Sequence, residues 1–452
     1  MRVELAIKAK MWEFTIHPQE DELSGRSFLP RDAGEFRLVN TRFYLDGGTL
    51  PAEIHPDLLA GALWMMLHPV VGAELRLPLA VSPQFNQVLR HSFGVEVGPV
   101  DQSLAPPDVR FGGPALLLSG GLDSAAAALI LPDDVRLIFQ DRIPRAVAGA
   151  VPSALVHLAQ QRKLAQTLAG MGREVHRHRD GHEQLFEPYP SPNTNMTLIA
   201  PLLRAEALGL TLMEYGAVLA DLYFEGYTLA EVGGWRFRKE SRRGQQGEGR
   251  PKARFVTRSG MNFEEALTGL LSLFGMRSGA TSAGMSEVAT ALAVHRSPLR
   301  GLTYSCHQRS LHTACLACDK CFRKLLLQHI FDDQDVPDDL VDYYLSRPSL
   351  AGLFSRRFMD FHHVWMYVFQ RVKSGHPVLA KLQHWAQDAP DLGFLAKWYV
   401  RHEHEVVPIE YRAEVATNVR KYLEPMSQGE QAILESLELP PLSDGVRRGG
   451  GL

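Results

Sequence analysis

The sequence is poor in cysteine: its 452 residues contain four, and all of them lie between residues 306 and 321. No cysteine remains elsewhere to build a disulfide framework. Long apolar runs are also missing, since the stretch at 60–71 is interrupted by His68 and Pro69 and is too short to span a bilayer. The first residues lack the apolar core of a signal peptide. We therefore predict a cytoplasmic protein with no membrane segment.

Neither sign of charge is in large excess. The chain has 48 lysines and arginines against 51 aspartates and glutamates, which gives a formal net charge of −3. No whole-chain field therefore attracts nucleic acid. The length allows two or three domains, and the apolar content is ordinary for a globular protein.

The cysteines follow the spacing C-x8-C-x2-C-x2-C. Four thiolates suit a tetrahedral zinc ion and leave it no open position, so we predict a structural zinc rather than a catalytic one. A disulfide pair is the weaker alternative, because two C-x2-C steps in a reducing compartment favour metal. His307 and His312 lie between the cysteines and could replace one of them, although orienting the loop or facing solvent is the favoured interpretation. The predicted ligands are Cys306, Cys315, Cys318 and Cys321.

Three regions are predicted along the chain. Residues 1–110 form a small α+β region, with strands at Val3–Ala9 and Phe36–Leu45 and a helix over Pro56–Leu67. Pro106 and Pro107 mark the linker that follows. Residues 111–325 form the central domain, and residues 326–452 are helical. The aromatic-rich stretch at Phe358–Phe369 is interpreted as core or as a partner interface.

The central domain alternates between short apolar runs and helical patterns, which predicts an α/β fold with a parallel sheet and helices on both faces. Ligands bind such sheets at the carboxyl ends of the strands. The predicted strands are Pro114–Leu118, Val135–Gln140, Arg173–His178 and Thr211–Tyr215. The predicted helices are Ser124–Leu131, Pro152–Leu168 and Met196–Leu208, the last ended by Gly209.

The segment Ser119–Ser124 reads Ser-Gly-Gly-Leu-Asp-Ser and joins the first of these strands to the first helix. Its glycines let the backbone approach an anion, and the helix that begins near Asp123 directs amides and a positive dipole end into the loop. The two serines add hydroxyl donors. Asp123 would need Mg²⁺ between it and phosphates, or would cap the helix. A tight turn without a ligand is the weaker alternative, and the Gly-Lys-Ser/Thr ending of a P-loop NTPase is absent.

These motifs resemble a known superfamily. SGGLDS is similar to the pyrophosphate-binding loop of the PP-loop ATP pyrophosphatases, which have an adenine nucleotide alpha hydrolase-like fold. Tyr304-Ser305-Cys306 with the cysteine spacing resembles the 7-cyano-7-deazaguanine synthase (QueC) family, over roughly residues 111–325. The resemblance implies pyrophosphate binding by Ser119, Gly120, Gly121, Leu122, Asp123 and Ser124, and a structural zinc on the four cysteines. The family's arginine-asparagine step is Thr194-Asn195 here, which leaves a nucleobase substrate open.

The resemblance implies an ATP-dependent, AMP- and pyrophosphate-forming ligase that makes C–N bonds. Such an enzyme adenylates a carboxylate or amide oxygen and transfers the activated group to ammonia or an amine. Asp123, Ser119 and Ser124 are the predicted catalytic residues, with ATP, Mg²⁺ and Zn²⁺ as cofactors. The acceptor is a small molecule, a deazapurine among them, or a partner protein. No cysteine lies outside the zinc set, so thiol-based sulfur transfer lacks a nucleophile.

Two other functions stay open. One is a nucleotide-binding sensor, pseudoenzyme or interaction module. The other is a tRNA-modifying PP-loop enzyme that holds RNA with the basic stretch Trp235–Arg258, an option not favoured because aromatics are sparse there. That stretch is otherwise a solvated loop or a lid over phosphates. A homodimer is open for the protein whichever function it has.

Charged residues outside the loop have two interpretations each. Asp141 and Arg142 follow the second strand and either touch nucleotide or form an ion pair. A second group flanks the last cysteines, and a solvated surface is its default although it could face the active site. That group is Asp319, Lys320, Arg323 and Lys324.

Overall fold

The computed structural model describes most of the chain. The described residues are 1–26, 35–109, 112–142, 158–182, 185–187, 198–219, 259, 261, 263–303, 318–347, 350, 353–354, 359, 361–437 and 439–440. Several predicted features lie outside them: the basic stretch 235–258, Thr194-Asn195, Cys306, Cys315, His307 and His312.

Thirteen strands form two sheets in the described residues. They are β1 Arg2–Lys8, β2 Met11–His17, β3 Ser24–Arg26, β4 Glu35–Leu38, β5 Arg42–Asp46, β6 Glu74–Val81, β7 Glu96–Val100, β8 Pro114–Leu118, β9 Arg136–Arg142, β10 Val175–Asp180, β11 Phe186–Glu187, β12 Leu212–Glu214 and β13 Arg277–Gly279.

Helices connect and cover these strands. They are α1 Pro56–Leu67, α2 Pro83–Val88, α3 Leu122–Ile130, α4 Leu158–Gly170, α5 Ile199–Leu202, α6 Ala205–Leu208, α7 Phe263–Leu273, α8 Glu287–His295, α9 Asp319–Phe331, α10 Asp338–Leu345, α11 His362–Arg371, α12 Pro377–Ala386, α13 Val400–Glu405, α14 Arg412–Arg420 and α15 Gln428–Ser436. After residue 325 the described segments contain helices and no named strand, as the sequence predicts for that region.

The large sheet is mostly parallel and has the order β13-β12-β8-β9-β10-β5-β2-β1-β6-β7. Its first five strands are all parallel to their neighbours. Counted along the chain, these five run in the order 3-2-1-4-5, which is the arrangement of doubly wound α/β domains. The predicted α/β class and mainly parallel sheet are confirmed.

Helices pack on both faces of this sheet. Along β8, Leu116 and Leu118 join an apolar cluster with α3, α4 and α8, whereas Ala115 and Leu117 join a second cluster with α1 and α7. This alternation follows from the two-residue period of a strand. Strands buried on both faces have apolar side chains throughout, as the run Pro-Ala-Leu-Leu-Leu has.

Five of the seven strands within the first 110 residues continue the same sheet. β10 pairs antiparallel with β5 through Asp180 and Leu45, and β5 leads on to β2, β1, β6 and β7. Residues of the first 110 also share an apolar cluster with the central strands. The sheet therefore crosses the predicted boundary at residue 110.

Two predicted elements differ from the structure. The single strand predicted over Phe36–Leu45 is wrong, because β4 belongs to the small sheet β11-β4-β3 and β5 to the large one. A turn separates them, in which the Arg42 amide donates to Asn40 Oδ1 at 3.0 Å. The helix predicted to Leu208 is interrupted between α5 and α6 at Arg204, whose guanidinium donates to the backbone oxygens of Thr49 and Arg177.

The C-terminal helices enclose their own apolar cluster. Trp365 and Phe369 of α11 stack with ring centroids 5.6 Å apart, and both are fully buried. Within the described part of the aromatic stretch, the core interpretation is therefore confirmed. None of the helices in the described residues is both long and apolar enough to cross a membrane.

Candidate functional site

The segment Ser119–Ser124 lies at the point where the sheet order reverses. β8 is the first of the five parallel strands, and β9 and β12 flank it on opposite sides. In doubly wound sheets, ligands bind at such a reversal point, outside the carboxyl ends of the strands. The loop leads directly into α3, which begins at Leu122, one residue before the predicted start.

Gly120 gives the loop a shape that other residues would resist. Its φ is +81°, and a Cβ at this position would lie 2.4 Å from Cγ of Gln161. Gln161 belongs to α4, and its Nε2 donates to the Ser119 carbonyl at 3.0 Å. The glycine thus allows a left-handed turn directly beneath a side chain that holds the loop.

The two serines of the loop converge. Ser119 Oγ and Ser124 Oγ are 3.0 Å apart, and Ser119 Oγ accepts from the Gly121 amide at 3.3 Å. The first bond of α3 runs from the Ala125 amide to the Gly121 carbonyl. The Asp123 and Ser124 amides precede it and have no acceptor inside the helix. Hydroxyls, amides and a positive helix end therefore meet at one point, which suits an anion.

A second glycine, Gly216, lets the loop after β12 pack closely against the start of α3. A Cβ at Gly216, which follows β12, would lie 2.5 Å from the Ser124 amide nitrogen. The chain leaving β12 therefore passes directly against the first turn of α3. The loop after β8 and the loop after β12 are in contact at the site.

Thr290 of α8 orients the carboxylate of Asp123. Its Oγ1 lies 2.8 Å from Asp123 Oδ1 and 3.1 Å from the Glu287 carbonyl. Thr290 is fully buried, and Asp123 is half-buried. The carboxylate predicted to act at the loop is therefore held by a helix more than 160 residues away in sequence, counted from 123 to 290.

The ammonium group of Lys324 is buried and lies within electrostatic reach of Asp123. Nζ of Lys324, on α9, is buried and has no hydrogen-bond partner among the described residues, although the side chain as a whole is half-buried. Burial, together with the neighbouring Lys320 ammonium, lowers the pKa of Lys324 to about 8. The carboxylates of Glu287 and Asp123 act in the opposite direction on this pKa.

A buried ion pair fixes α9 against α8. The Arg323 guanidinium donates to Glu287 Oε1 at 3.0 Å and to Oε2 at 2.9 Å, and both side chains are almost fully buried. Burial by itself raises the pKa of Glu287, but Arg323 and the nearby lysines outweigh it and bring that pKa to about 2. The solvated surface predicted for this segment is therefore wrong for Arg323 and for the ammonium of Lys324.

Sequence reasoning did not single out Glu287 and Thr290. Both are polar residues in the first turns of a helix that is otherwise alanine- and valine-rich. Polar side chains on a helix that is buried almost all round are a signal that could have drawn attention to them.

Asp141 forms ion pairs, as one of the two interpretations of this residue predicts. Its carboxylate is fully buried and contacts Arg177, Arg162 at 2.8 Å and Arg179 at 3.6 Å. The group lies at the end of β9, the strand next to β8. Arg162 follows Gln161 on α4, so the same helix contacts both the loop and Asp141. The side chain of Arg142 is outside the described residues.

Two further buried groups near the strand ends were not found from the sequence. Asp180 of β10 contacts His178, His182 and Gln140; burial alone would raise its pKa, but the two histidines hold that pKa well below the usual range. Glu214 ends β12, and burial raises its pKa to about 7 although Thr281 donates to both of its oxygens at 2.9 Å. Such groups gather where parallel strands end, but here they bond to protein neighbours.

The described half of the cysteine set is compatible with a metal knuckle. Cys318 immediately precedes α9 and Cys321 lies in its first turn, and both are buried. Residues three apart at a helix start face the same side, and the helix end favours thiolates. No disulfide joins these two cysteines. Among the described residues no group of three or more His, Cys, Asp or Glu is arranged to hold a metal, and Cys306 and Cys315 lie outside them.

Comparison with known proteins found a family model that matches part of the chain. Residues 266–438 match the profile of a family of unknown function (DUF6395). The matched segment includes Glu287, Thr290 and Lys324, whereas the loop Ser119–Ser124 lies outside it. Searches of curated proteins and of solved structures found no match.

Proposed function

We propose that the protein is an ATP-dependent, AMP-forming ligase of the PP-loop type, with the β- and γ-phosphates of ATP held by Ser119–Ser124. The observation that carries this proposal is the loop itself: a left-handed Gly120, two converging hydroxyls and the first turn of a helix at the reversal point of a doubly wound sheet. Glycine backbone, hydroxyl donors and a helix N-terminus form a general phosphate-binding arrangement.

The position of Asp123 supports a nucleotide bound with Mg²⁺. A carboxylate beside phosphates is repelled unless a cation lies between them, and Mg²⁺ would supply that charge neutralisation and contact both groups. Thr290 holds one oxygen of the carboxylate at 2.8 Å, which fixes its direction before any ligand binds. Preorganised ligands lose little entropy when the metal–nucleotide complex arrives.

The proposed reaction has two steps. An oxygen of the acceptor carboxylate or amide attacks the α-phosphorus of ATP, the bond from that phosphorus to the bridging oxygen breaks, and pyrophosphate leaves with the electron pair. Ammonia or an amine then attacks the activated carbon, AMP leaves, and the nitrogen loses a proton. Ser119, Ser124 and the backbone amides of the loop would stabilise the charge that develops on pyrophosphate.

Zinc has a structural role in this proposal. Cys306, Cys315, Cys318 and Cys321 would form a closed tetrahedral site directly before α9. The acceptor is proposed by resemblance alone as a carboxylate or amide, with deazapurines as one class to test.

Product analysis tests the reaction. Purified protein is incubated with Mg²⁺, ATP and a panel of carboxylate and deazapurine acceptors, and nucleotides and acceptors are followed by mass spectrometry. We expect AMP and pyrophosphate together with a mass change on one acceptor or on a co-purifying polypeptide. Formation of ADP alone would rule out cleavage at the α-phosphorus. Binding of ATP without turnover would favour the sensor, and RNA binding that falls steeply with salt would favour a tRNA enzyme.

Two aspartate variants distinguish the effect of a substitution in the loop from the effect of one elsewhere on the surface. Asp123→Ala should reduce AMP formation by at least 100-fold (a rough estimate for a group that contacts the metal–phosphate complex) while the far-UV circular dichroism stays unchanged. Asp388→Ala, at an exposed position after α12, is the matched control and should retain wild-type turnover. Normal turnover in Asp123→Ala would remove the loop from the mechanism.

A further inference from the structure

We infer that Lys324 is a phosphate-binding residue that reaches the β- and γ-phosphates of a nucleotide held by Ser119–Ser124, an inference that rests on the function proposed above. The residue is presented by α9, a helix that starts from the cysteine loop and is more than 190 residues from the phosphate loop, counted from 124 to 324. Both segments contact α8 in the folded chain, the loop through Asp123 and Thr290 and α9 through Arg323 and Glu287.

The bonding pattern around Lys324 leaves its ammonium group without an acceptor. Both oxygens of Glu287 accept from Arg323, at 3.0 and 2.9 Å. One oxygen of Asp123 is within 2.8 Å of Thr290 Oγ1. Nζ of Lys324 lies in the field of both carboxylates but makes no hydrogen bond to either. The carboxylates nearby are thus already engaged with other donors.

Three other lysines of the described chain have a hydrogen-bond acceptor or an acidic partner. Lys397 Nζ lies 2.8 Å from Glu430, Lys373 Nζ lies 2.6 Å from Asp333, and Lys421 Nζ lies 2.7 Å from Asn418. A shielded ammonium without an acceptor costs free energy, because water no longer solvates it. Folds retain such groups mainly at functional sites, where a ligand supplies the missing acceptor.

The charged groups around Lys324 also favour the binding of an anion. Arg323 and Glu287 neutralise each other as a buried bidentate pair, and Lys320 and Asp123 are further charges that act on Lys324. Lys320 and Lys324 are four residues apart and therefore lie on one side of α9. A Mg²⁺ ion at Asp123 would offset that carboxylate, so the two lysines would then favour a bound pyrophosphate.

The opposing view is that Lys324 merely supports the fold, and stability distinguishes the two roles. If Lys324 is structural, Lys324→Met should lower the melting temperature of the ligand-free protein. If its ammonium instead gains an acceptor only when phosphate binds, Lys324→Met removes an unsatisfied buried group from the ligand-free protein. The melting temperature should then stay the same or rise.

The experiment measures the Kd of Mg-pyrophosphate and of AMP by calorimetry for wild type, Lys324→Met, Lys324→Arg and Lys373→Met. We expect Lys324→Met to bind pyrophosphate at least tenfold more weakly, since a charge-assisted hydrogen bond is lost, and to bind AMP within twofold of wild type. Lys324→Arg should retain part of the affinity. Lys373→Met, at an exposed lysine, is the control and should match wild type.

The outcomes separate this inference from the proposed function. Wild type that binds neither pyrophosphate nor ATP would overturn the function itself. Wild type that binds pyrophosphate, together with an unchanged Kd in Lys324→Met, would overturn the role of Lys324 alone. A lower melting temperature or failure to fold in Lys324→Met would assign the residue to the fold and overturn the inference as well.

Discussion

At the scale of single residues, the site depends on positions where the backbone or a carboxylate is constrained. Gly120 adopts φ +81° beneath Gln161, and Asp123 is held by Thr290. Left-handed backbone costs a residue with a Cβ roughly 1–2 kcal/mol, even before contacts are considered. Small substitutions in this loop should therefore change stability and nucleotide binding more than the same substitutions elsewhere.

Gly120→Ala should weaken nucleotide binding and lower the free energy of unfolding by about 1–3 kcal/mol, because left-handed strain adds to a contact with Gln161. Urea denaturation and ATP titration measure the two effects. The matched control is Gly429→Ala in the first turns of α15, where a Cβ meets nothing within 4 Å and the change should stabilise slightly. Equal effects at both positions would show that the loop conformation is not special.

Glu214 should make the fold less stable as pH rises. Its pKa of about 7 in the folded protein exceeds the value near 4.5 expected when unfolded, so the folded state binds the proton more tightly. Stability is then greatest below pH 4.5, falls as pH rises from about 4.5 to 7, and is level above, a change on the order of 3 kcal/mol.

Glu214→Gln removes this titration and keeps the shape of the side chain. The difference in unfolding free energy between the variant and wild type should grow in favour of the variant from pH 5 to pH 7.5, measured by urea titration at each pH. A difference that is constant across this interval would mean that Glu214 is ionised in the folded protein.

At the scale of elements, the pair Glu287–Arg323 makes α8 and α9 one unit. Through it the helix that carries Thr290 and the helix that carries Lys324 keep a fixed relation to α3. Breaking one partner of a buried pair leaves the other charge unpaired and typically costs about 3–5 kcal/mol.

Arg323→Met should destabilise the protein by roughly that amount, while the double variant Arg323→Met/Glu287→Leu should recover much of the loss because neither charge of the pair remains. A double-mutant cycle of chemical unfolding measures the coupling. If the double variant is as unstable as the sum of the single variants, the two helices are not held by this pair.

The element scale also shows where sequence patterns succeed. The apolar run Pro114–Leu118 became β8 with the predicted bounds, and Gly209 ends α6 in the left-handed conformation, as predicted. Local patterns sufficed there because the apolar character and the glycine act within a few residues. The single strand predicted over Phe36–Leu45 failed because pairing partners far along the chain divide it between two sheets.

At the scale of the whole molecule, one sheet runs from the N-terminal strands to β13, and residues of the C-terminal helices share an apolar cluster with α3, α4 and α8 of the central domain. The loop and the family-matched segment each supply part of the site. If zinc binds to the cysteines, it would fix the start of α9 and thereby affect the position of Lys324.

Cys318→Ser should lose zinc and lower the melting temperature together, because a closed zinc site contributes to folding directly. Metal content by mass spectrometry and thermal unfolding measure the two effects, with Ser436→Ala on exposed α15 as a control. Wild-type protein that contains no zinc when purified without chelator would contradict the structural-zinc proposal.

The sequence by itself determined the glycine turn between β8 and α3, the strands around it and the clustering of the cysteines, because glycine geometry, apolar period and short spacings act locally. Only the tertiary structure decided that Thr290 holds Asp123 and that Arg323 is buried against Glu287. Those contacts join segments more than 30 residues apart, from Glu287 to Arg323, and more than 160 residues apart, from Asp123 to Thr290. Side-chain type does not reveal which distant helix will face it, since packing of the whole chain sets that choice.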